Sequence, residues 1–340
     1  MPQPQEPRRR RILRAIATIV VLSLLGTAGA IAYANQRYIE DQITVWQFEP
    51  SAAVIAHEQR LQFTEHGSFL YRASRPVVSS TEEFATECPQ QEDESAYGIL
   101  GCYFPSTGLI YLFDVTDERL DGTEEVTAAH EMLHAAWDRM SGEEHAELSA
   151  LLEVEFVRLS TDPAFVERME FYARTEPGQR ANELHSIIGT EAGGISAALE
   201  EHYARYFVDR TIVTALHETS NAVFVQLQAR GKELVAAMEA LRVSVDSDYA
   251  SYTAGYATLN ADIESFNERV DNGTYTSQSR FDRERNALMA RRTTLDALYV
   301  SITARSAQYE TLRLELETVN ATSAELQQGL NIGAEVGSDL

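Results

Sequence analysis

The hydrophobic positions of the chain form three patterns, and the first is an almost unbroken apolar run near the N-terminus. Residues Ile12 to Tyr33 carry no charge except Arg14, and four consecutive arginines, Arg8 to Arg11, come just before them. About twenty apolar residues in a helix are enough to cross the hydrocarbon core of a bilayer. The run therefore predicts a transmembrane helix over residues 12–34.

The charges around this run predict its orientation. Arginines and lysines are retained on the cytoplasmic side of a span, so the basic segment 1–11 is expected in the cytoplasm and the rest of the chain outside it. This makes the protein a single-pass component of the cell membrane. A cleaved signal peptide is the alternative, with small residues at Ala28-Gly29-Ala30 or Ala32-Tyr33-Ala34 as the cleavage site.

The second pattern is a heptad repeat in the last third of the chain. Apolar residues recur at spacings of four and three from Leu234 to Val270, and then at sevens from Phe281 to Leu316. Such repeats are typical of helices that pack along a seam. Two of them joined by a short polar turn predict an antiparallel coiled-coil hairpin over residues 213–330, which we expect to bind a protein partner. The tail 331–340 is predicted to be disordered.

The third pattern, in residues 35–212, mixes helical and strand-like segments and predicts an α+β, mostly α, domain. Gly67 to Pro76 is predicted to form a strand that ends before the proline. Gly108 to Val115 is a second predicted strand, bounded by turn residues. An extended peptide could pair with the free edge of this second strand, although a strand that serves only the core fits the same pattern.

The most informative stretch follows this second strand and contains His130-Glu131-x-x-His134. Residues four apart on a helix leave the same face, so both imidazoles can bind one metal ion. Glu131 lies beside the first histidine and can reach a water that the metal holds. The neighbouring residues of the stretch Val126–Met140 are largely uncharged, which favours a helix buried beneath an active-site cleft over a solvated one.

A catalytic zinc site needs a third protein ligand, and the next helices offer three candidates. Glu183, in Asn182-Glu183-x-x-Ser186, is the best of them because a glutamate on a helix antiparallel to the motif helix completes a His₂Glu site. Glu191 and His185 are the alternatives. A hydrolase also needs a donor for the oxyanion of its tetrahedral intermediate, and His202, Tyr203 and the nearby Tyr206 are the candidates.

These motifs resemble the gluzincin superfamily of zinc metallopeptidases over about Gly108 to Ser186. Those enzymes carry His-Glu-x-x-His on one helix and a ligand glutamate, often within Asn-Glu, on a later one. The resemblance implies a zincin-like domain in which His130, His134 and Glu183 hold Zn²⁺ and Glu131 is the catalytic base. Many gluzincins place an aspartate four positions after the ligand glutamate, where this chain has an isoleucine, so the alternative ligands stay open.

Composition limits the classes of function. The formal net charge of −24 argues against binding to nucleic acid. The two cysteines, Cys88 and Cys102, flank the polar loop Pro89 to Ser95, and in an extracytoplasmic domain such a pair predicts a disulfide.

Together these features predict a membrane-anchored extracytoplasmic zinc metallopeptidase. It would hydrolyse the peptide bonds of a peptide or protein substrate with a zinc-held water that Glu131 activates. The alternative from a different class is a non-catalytic scaffold of the cell envelope that works through its coiled-coil hairpin. The two differ at the metal site, because only the peptidase needs an open coordination position and Glu131.

Overall fold

The structure is a computed structural model that describes residues 8–88 and 100–330, most of them in helices around one small sheet. These residues fall into two compact units, the first reaching Ser220 and the second running from Asn221 to Gln328. The predicted loop Pro89 to Ser95, the predicted disordered tail 331–340 and the first seven residues of the predicted basic segment lie outside the described residues.

The first unit contains ten complete helices and three strands among its described residues. In chain order they are α1 (Arg8–Ala34), α2 (Gln36–Gln47), α3 (Ala52–Leu61), α4 (Glu65–Ala73), β1 (Val77–Ser79), α5 (Thr81–Glu87), β2 (Gly101–Phe104), β3 (Leu109–Phe113), α6 (Thr123–Trp137), α7 (Gly142–Leu159), α8 (Pro163–Thr175), α9 (Arg180–Glu191) and α10 (Ala197–Tyr203).

Helix α1 is long and apolar enough to cross a membrane. Its window Ile16–Ala34 has a mean hydropathy of 2.0, and none of that window is buried inside the protein. A signal sequence has the same properties, so the predicted anchor and the sides of the membrane on which the two ends lie remain predictions.

Helix α4 corrects the sequence-based prediction of a strand over Gly67 to Pro76. Thr64 caps α4 by accepting a hydrogen bond from the backbone N–H of Gly67. Gly67, Leu70 and Tyr71 are buried, which is the three-and-four spacing of a helix face rather than the alternation of a strand. The short real strand, β1, begins only after Pro76.

The sheet has the order β1-β3-β2, with β1 parallel and β2 antiparallel to β3. Strand β3 confirms the strand predicted over Gly108 to Val115, but it lies in the middle of the sheet with a partner on each side. Its edges are therefore not free to pair with a peptide, so the structure contradicts that interpretation and agrees with the alternative of a strand that serves only the core. Strand β2 is an edge strand of the described sheet, and it packs directly against α6.

Helix α6 is the centre of the core of the first unit. Ala128, Ala129, Met132 and Leu133 are completely buried, and the helix packs against the sheet on one side and against α9 on another. Its N-cap is Gly122, whose φ of 94° is a conformation that glycine adopts without strain. These contacts bury Glu131 and leave the two histidines of the motif partly buried.

The predicted disulfide between Cys88 and Cys102 is confirmed. It joins the residue after α5 to strand β2. Phe84 and Phe113 pack beside Cys88 in a small second cluster of buried apolar residues. The bridge therefore fastens β2, the strand next to α6, to α5.

The second unit consists of most of α11 (Thr211–Asp271) and α12 (Gln278–Leu330), which have 61 and 53 residues. Ion pairs join the two helices in reverse order along the chain: Arg230 with Glu315, Asp248 with Arg305 and Asp262 with Arg291. Heptad positions such as Leu234, Leu259 and Ile302 are buried.

Candidate metal centre

Two helices of the first unit bring three metal-binding side chains together. Helix α6 presents His130 and His134 one turn apart, and the first turn of α9 supplies Glu183. Nε2 of His134 lies 3.5 Å from Oε1 of Glu183, and Nε2 of His130 lies 3.8 Å from Oε2 of the same carboxyl. One ligand atom from each residue can be chosen such that all three lie within 4.8 Å of one another, so the group could hold a metal ion.

The chemistry of this group suits a cation. Glu183 is 1% exposed, and its Oε2 atom has no hydrogen-bond partner among the described residues. An unpartnered carboxylate oxygen in the interior is costly, and a bound cation would remove that cost. Two imidazole nitrogens and one carboxylate oxygen are a donor set that zinc accepts in tetrahedral sites with one open position.

Hydrogen-bond partners at Nδ1 orient the ring of His134 so that Nε2 can bind a metal ion. Nδ1 lies 2.9 Å from Oδ1 of Asn182 and 3.2 Å from Oγ of Ser186. An amide oxygen can only accept, so Nδ1–H donates to Asn182 and the lone pair of Nε2 is left facing Glu183. The residues Asn182 and Ser186, which were noticed in the sequence only as neighbours of Glu183, therefore hold the histidine of the facing helix.

Burial controls the charges of the group. It lowers the pKa of His130 well below its usual value, with the neighbouring His134 adding to the effect. Burial also raises the pKa of Glu183, and the carboxyl of Glu176 raises it further. In the metal-free protein the environment thus favours the neutral forms of His130 and Glu183, whereas a bound dication would favour the carboxylate of Glu183.

Glu131 lies beside the group and against strand β2. It is 5% exposed, and burial raises its pKa to about 8 despite the opposing influence of His134. A Cβ atom placed on Gly101 of β2 would lie only 2.9 Å from Oε1 of Glu131. Because Gly101 has no side chain, the edge strand can approach the carboxyl of Glu131 closely. The side chain of Glu131 therefore lies between its own helix, α6, and strand β2.

The structure places the two alternative ligands outside the group. Glu191, at the end of α9, forms an ion pair with Arg168 and lies 3.7 Å from Nε2 of His217. His185 is fully buried, and its Nε2 lies 3.0 Å from Nε2 of His202.

The three candidate oxyanion donors lie in the surroundings of His185. The Tyr203 hydroxyl donates its proton to the backbone carbonyl of His185 at 2.7 Å. Burial lowers the pKa of His202 to about 4, so this imidazole is neutral at pH 7. Tyr206 is buried, and its ring packs edge-on against His185 and His202. Because the Tyr203 hydroxyl already donates its proton to the carbonyl of His185, it is not available to donate to an oxyanion.

Two residues that sequence reasoning missed belong to the same environment. Burial raises the pKa of Tyr172, and the carboxyls of Glu183 and Glu131 act on it in the same direction. Glu176, just after α8, acts electrostatically on both carboxyls as well. In the sequence, only their proximity to Glu183 pointed to Tyr172 and Glu176. Both lie within eleven residues of it, on the helix and loop that precede α9.

Comparison with protein-family models, with curated proteins and with solved structures returned no match for this chain.

Proposed function

We propose that the protein is a membrane-anchored zinc metallopeptidase of the gluzincin type, which hydrolyses peptide bonds outside the cytoplasm. The observation that supports this most strongly is the convergence of His130, His134 and Glu183, with the Oε2 atom of Glu183 left without a hydrogen-bond partner among the described residues. Two histidines one helical turn apart and a glutamate from a second helix are the ligand set of a catalytic zinc with one open position.

Zinc bound at this site would lower the pKa of a water and polarise a substrate carbonyl. Glu131 is the proposed general base: the positive charge of a bound zinc would favour its carboxylate form, which takes the proton of the attacking water and passes it to the leaving amine. Tyr172 is the proposed donor to the oxyanion, because its phenol lies close enough to Glu183 and Glu131 for both carboxyls to act on it electrostatically. Asn182 orients His134 throughout.

The proposed substrate is an extended polypeptide that pairs with the edge of β2. This strand is at the end of the described sheet and runs past Glu131. Backbone hydrogen bonds along a strand edge give affinity with little dependence on sequence. A peptide bound there would have its backbone held next to the proposed base.

The remaining parts of the proposal concern location and partners. Helix α1 is proposed to be an uncleaved anchor whose N-terminus is cytoplasmic, since the arginines at its start would resist translocation. Helices α11 and α12 are proposed to form an antiparallel coiled-coil hairpin that binds a protein partner. Their heptad positions and their ion pairs in reverse order support this arrangement.

The variant Glu131→Gln tests the proposed reaction. The full-length protein, loaded with zinc, would be incubated with a peptide library, and new termini would be identified by mass spectrometry. We expect Glu131→Gln to keep its zinc and to lose hydrolysis by about 10²-fold or more, as for removal of a general base. Glu143→Gln, on the exposed start of α7, is the matched control.

Two results would contradict the proposal. Hydrolysis by Glu131→Gln at the unmodified rate would remove Glu131 from the role of base. A zinc-loaded protein that cleaves no peptide in the library would instead favour the envelope scaffold.

A further inference from the structure

Helix α2 has an apolar face that points away from the protein. Ile39, Ile43 and Trp46 are 41%, 49% and 84% exposed. At about 100° per residue these three side chains fall within an arc of about 60° on the helix surface. In a strongly acidic chain, a tryptophan and two isoleucines together on one exposed face mark a surface that contacts something apolar.

The opposite face of α2 is fixed to the folded unit, so the apolar face cannot turn inward. Asp41 accepts two hydrogen bonds from Arg139, at 2.8 and 2.9 Å. Arg37 donates to the backbone carbonyl of Asp138 at 2.9 Å and pairs with its carboxylate. Phe48, just after the helix, packs against the main core. The exposure of the outward face is therefore set by the fold.

The position of α2 in the chain indicates what covers this face. A single residue, Asn35, separates α2 from the end of α1. Asn35 has φ −112° and ψ 19°, outside the helical region, and its side chain donates to the carbonyl of Ile31 at 2.8 Å. The regular helical conformation is therefore interrupted at Asn35, where the candidate span ends. A helix of 12 residues is about 18 Å long, so all of α2 lies close to that end.

We infer that the outward face of α2 rests on the lipid headgroup region of the membrane that α1 crosses. This inference depends on the membrane anchor of the proposed function. The composition fits, because tryptophan and tyrosine are enriched at the membrane interface, and Tyr33 and Tyr38 are exposed on either side of Asn35. Amphipathic helices lie in that plane with the apolar face buried in the boundary between headgroups and acyl chains.

This placement has a consequence for the proposed substrate. Asp138 and Arg139, which hold α2, follow the end of α6, and His134 precedes Asp138 by one helical turn, about 6 Å along the axis. The metal centre is therefore held at a short, fixed height above the bilayer. The substrates that fit this arrangement are polypeptide segments close to the membrane surface, such as the flanks of other membrane spans.

Bilayer contact can be tested directly, because the chain has two tryptophans, Trp46 and Trp137. The full-length variant Trp137→Phe would be reconstituted in vesicles of phosphatidylcholine with or without bromine atoms on the acyl chains near the glycerol end. We expect the bromines to remove more than about half of the Trp46 emission, because interfacial helices bury their apolar face about 5–10 Å into that region. The matched control is Trp46→Phe, in which the partly buried Trp137 reports alone and stays unquenched.

Each other result overturns the inference in an identifiable way. If the protein floats with the vesicles but Trp46 emits as in water and is not quenched, the face does not touch lipid. If another protein or a second copy of this chain covers the face instead, the emission of Trp46 shifts to the blue without quenching by bromine. If the protein does not float with the vesicles, the anchor is wrong too. Zinc content and hydrolysis, measured on the same vesicles, are independent of all these results. Should Trp137→Phe fail to fold, the difference between unmodified protein and Trp46→Phe gives the same signal.

Discussion

The contact between Gly101 of β2 and helix α6 makes Gly101→Ala the most specific perturbation of the proposed site. The φ of Gly101 lies outside the left-handed range, so alanine can adopt the backbone conformation and only the added methyl group matters. That methyl carbon would lie 2.6 Å from Cγ2 of Thr127 and 2.8 Å from Cγ of Glu131.

The size of the effect follows from these distances. Carbon atoms in contact are normally about 3.5–4.0 Å apart, so one side of the contact must move by roughly 1 Å. Helix α6 cannot retreat, since Met132 and Leu133 on it are fully buried. Overpacking of this kind costs about 1–3 kcal/mol. A displacement of about 1 Å at the carboxyl of Glu131, the proposed base, should also reduce the proposed hydrolysis by about 10²-fold.

Thermal unfolding, followed by circular dichroism, measures the first effect. For a unit of this size, 1 kcal/mol corresponds to about 2–4 °C, so a cost of about 1–3 kcal/mol should lower the midpoint of Gly101→Ala by about 2–12 °C. Gly142→Ala is the matched control, because a Cβ there meets nothing within 4 Å. Zinc content should not change in either variant. An unchanged midpoint in Gly101→Ala would refute the close approach of β2 to α6.

Two further predictions follow from the same unit. Replacing Cys88 and Cys102 by serine should lower the free energy of unfolding by about 3 kcal/mol, because the bridge closes a loop with a sequence separation of 14; equal urea midpoints with and without the bridge would contradict this. In metal-free protein, the raised pKa of Glu131 means that its protonated carboxyl stabilises the fold fully below about pH 4.5 and that this contribution is lost as the pH rises toward 8. Glu131→Gln cannot ionise, so between pH 4.5 and 8 it should gain on the order of 4–5 kcal/mol relative to unmodified protein in urea unfolding. A difference that does not vary with pH would count against the buried carboxyl.

The parts of the fold that the sequence predicted are those set by local spacing. The four-residue interval between His130 and His134 requires only a helix to place both rings on one face. The apolar run of α1 and the cysteine pair are equally local signals. The prediction of a strand over Gly67 to Pro76 was wrong. The aromatic and aliphatic residues there favour strands, but the tertiary packing of Leu70 and Tyr71 selects a helix.

The parts that could not be predicted depend on how distant elements meet. Glu183 and Glu191 lie on the same helix, and only the direction in which α9 crosses α6 brings its first turn to the histidines. The order of strands in the sheet, which makes β2 rather than β3 the edge, is likewise absent from the hydrophobic pattern. Tyr172 has no motif, and its proximity to the carboxyls follows from the placement of α8.

The zinc content of the purified full-length protein tests the central claim most directly. We predict one zinc ion per chain, lost or greatly weakened in Glu183→Ala and retained in Glu191→Ala, whose carboxyl pairs with Arg168 instead. Loss of a ligand should weaken zinc binding far more than loss of the partly buried ion pair between Glu191 and Arg168, because neither member of that pair belongs to the ligand group. Zinc retained in Glu183→Ala, or no zinc in the unmodified protein, would contradict the proposed centre.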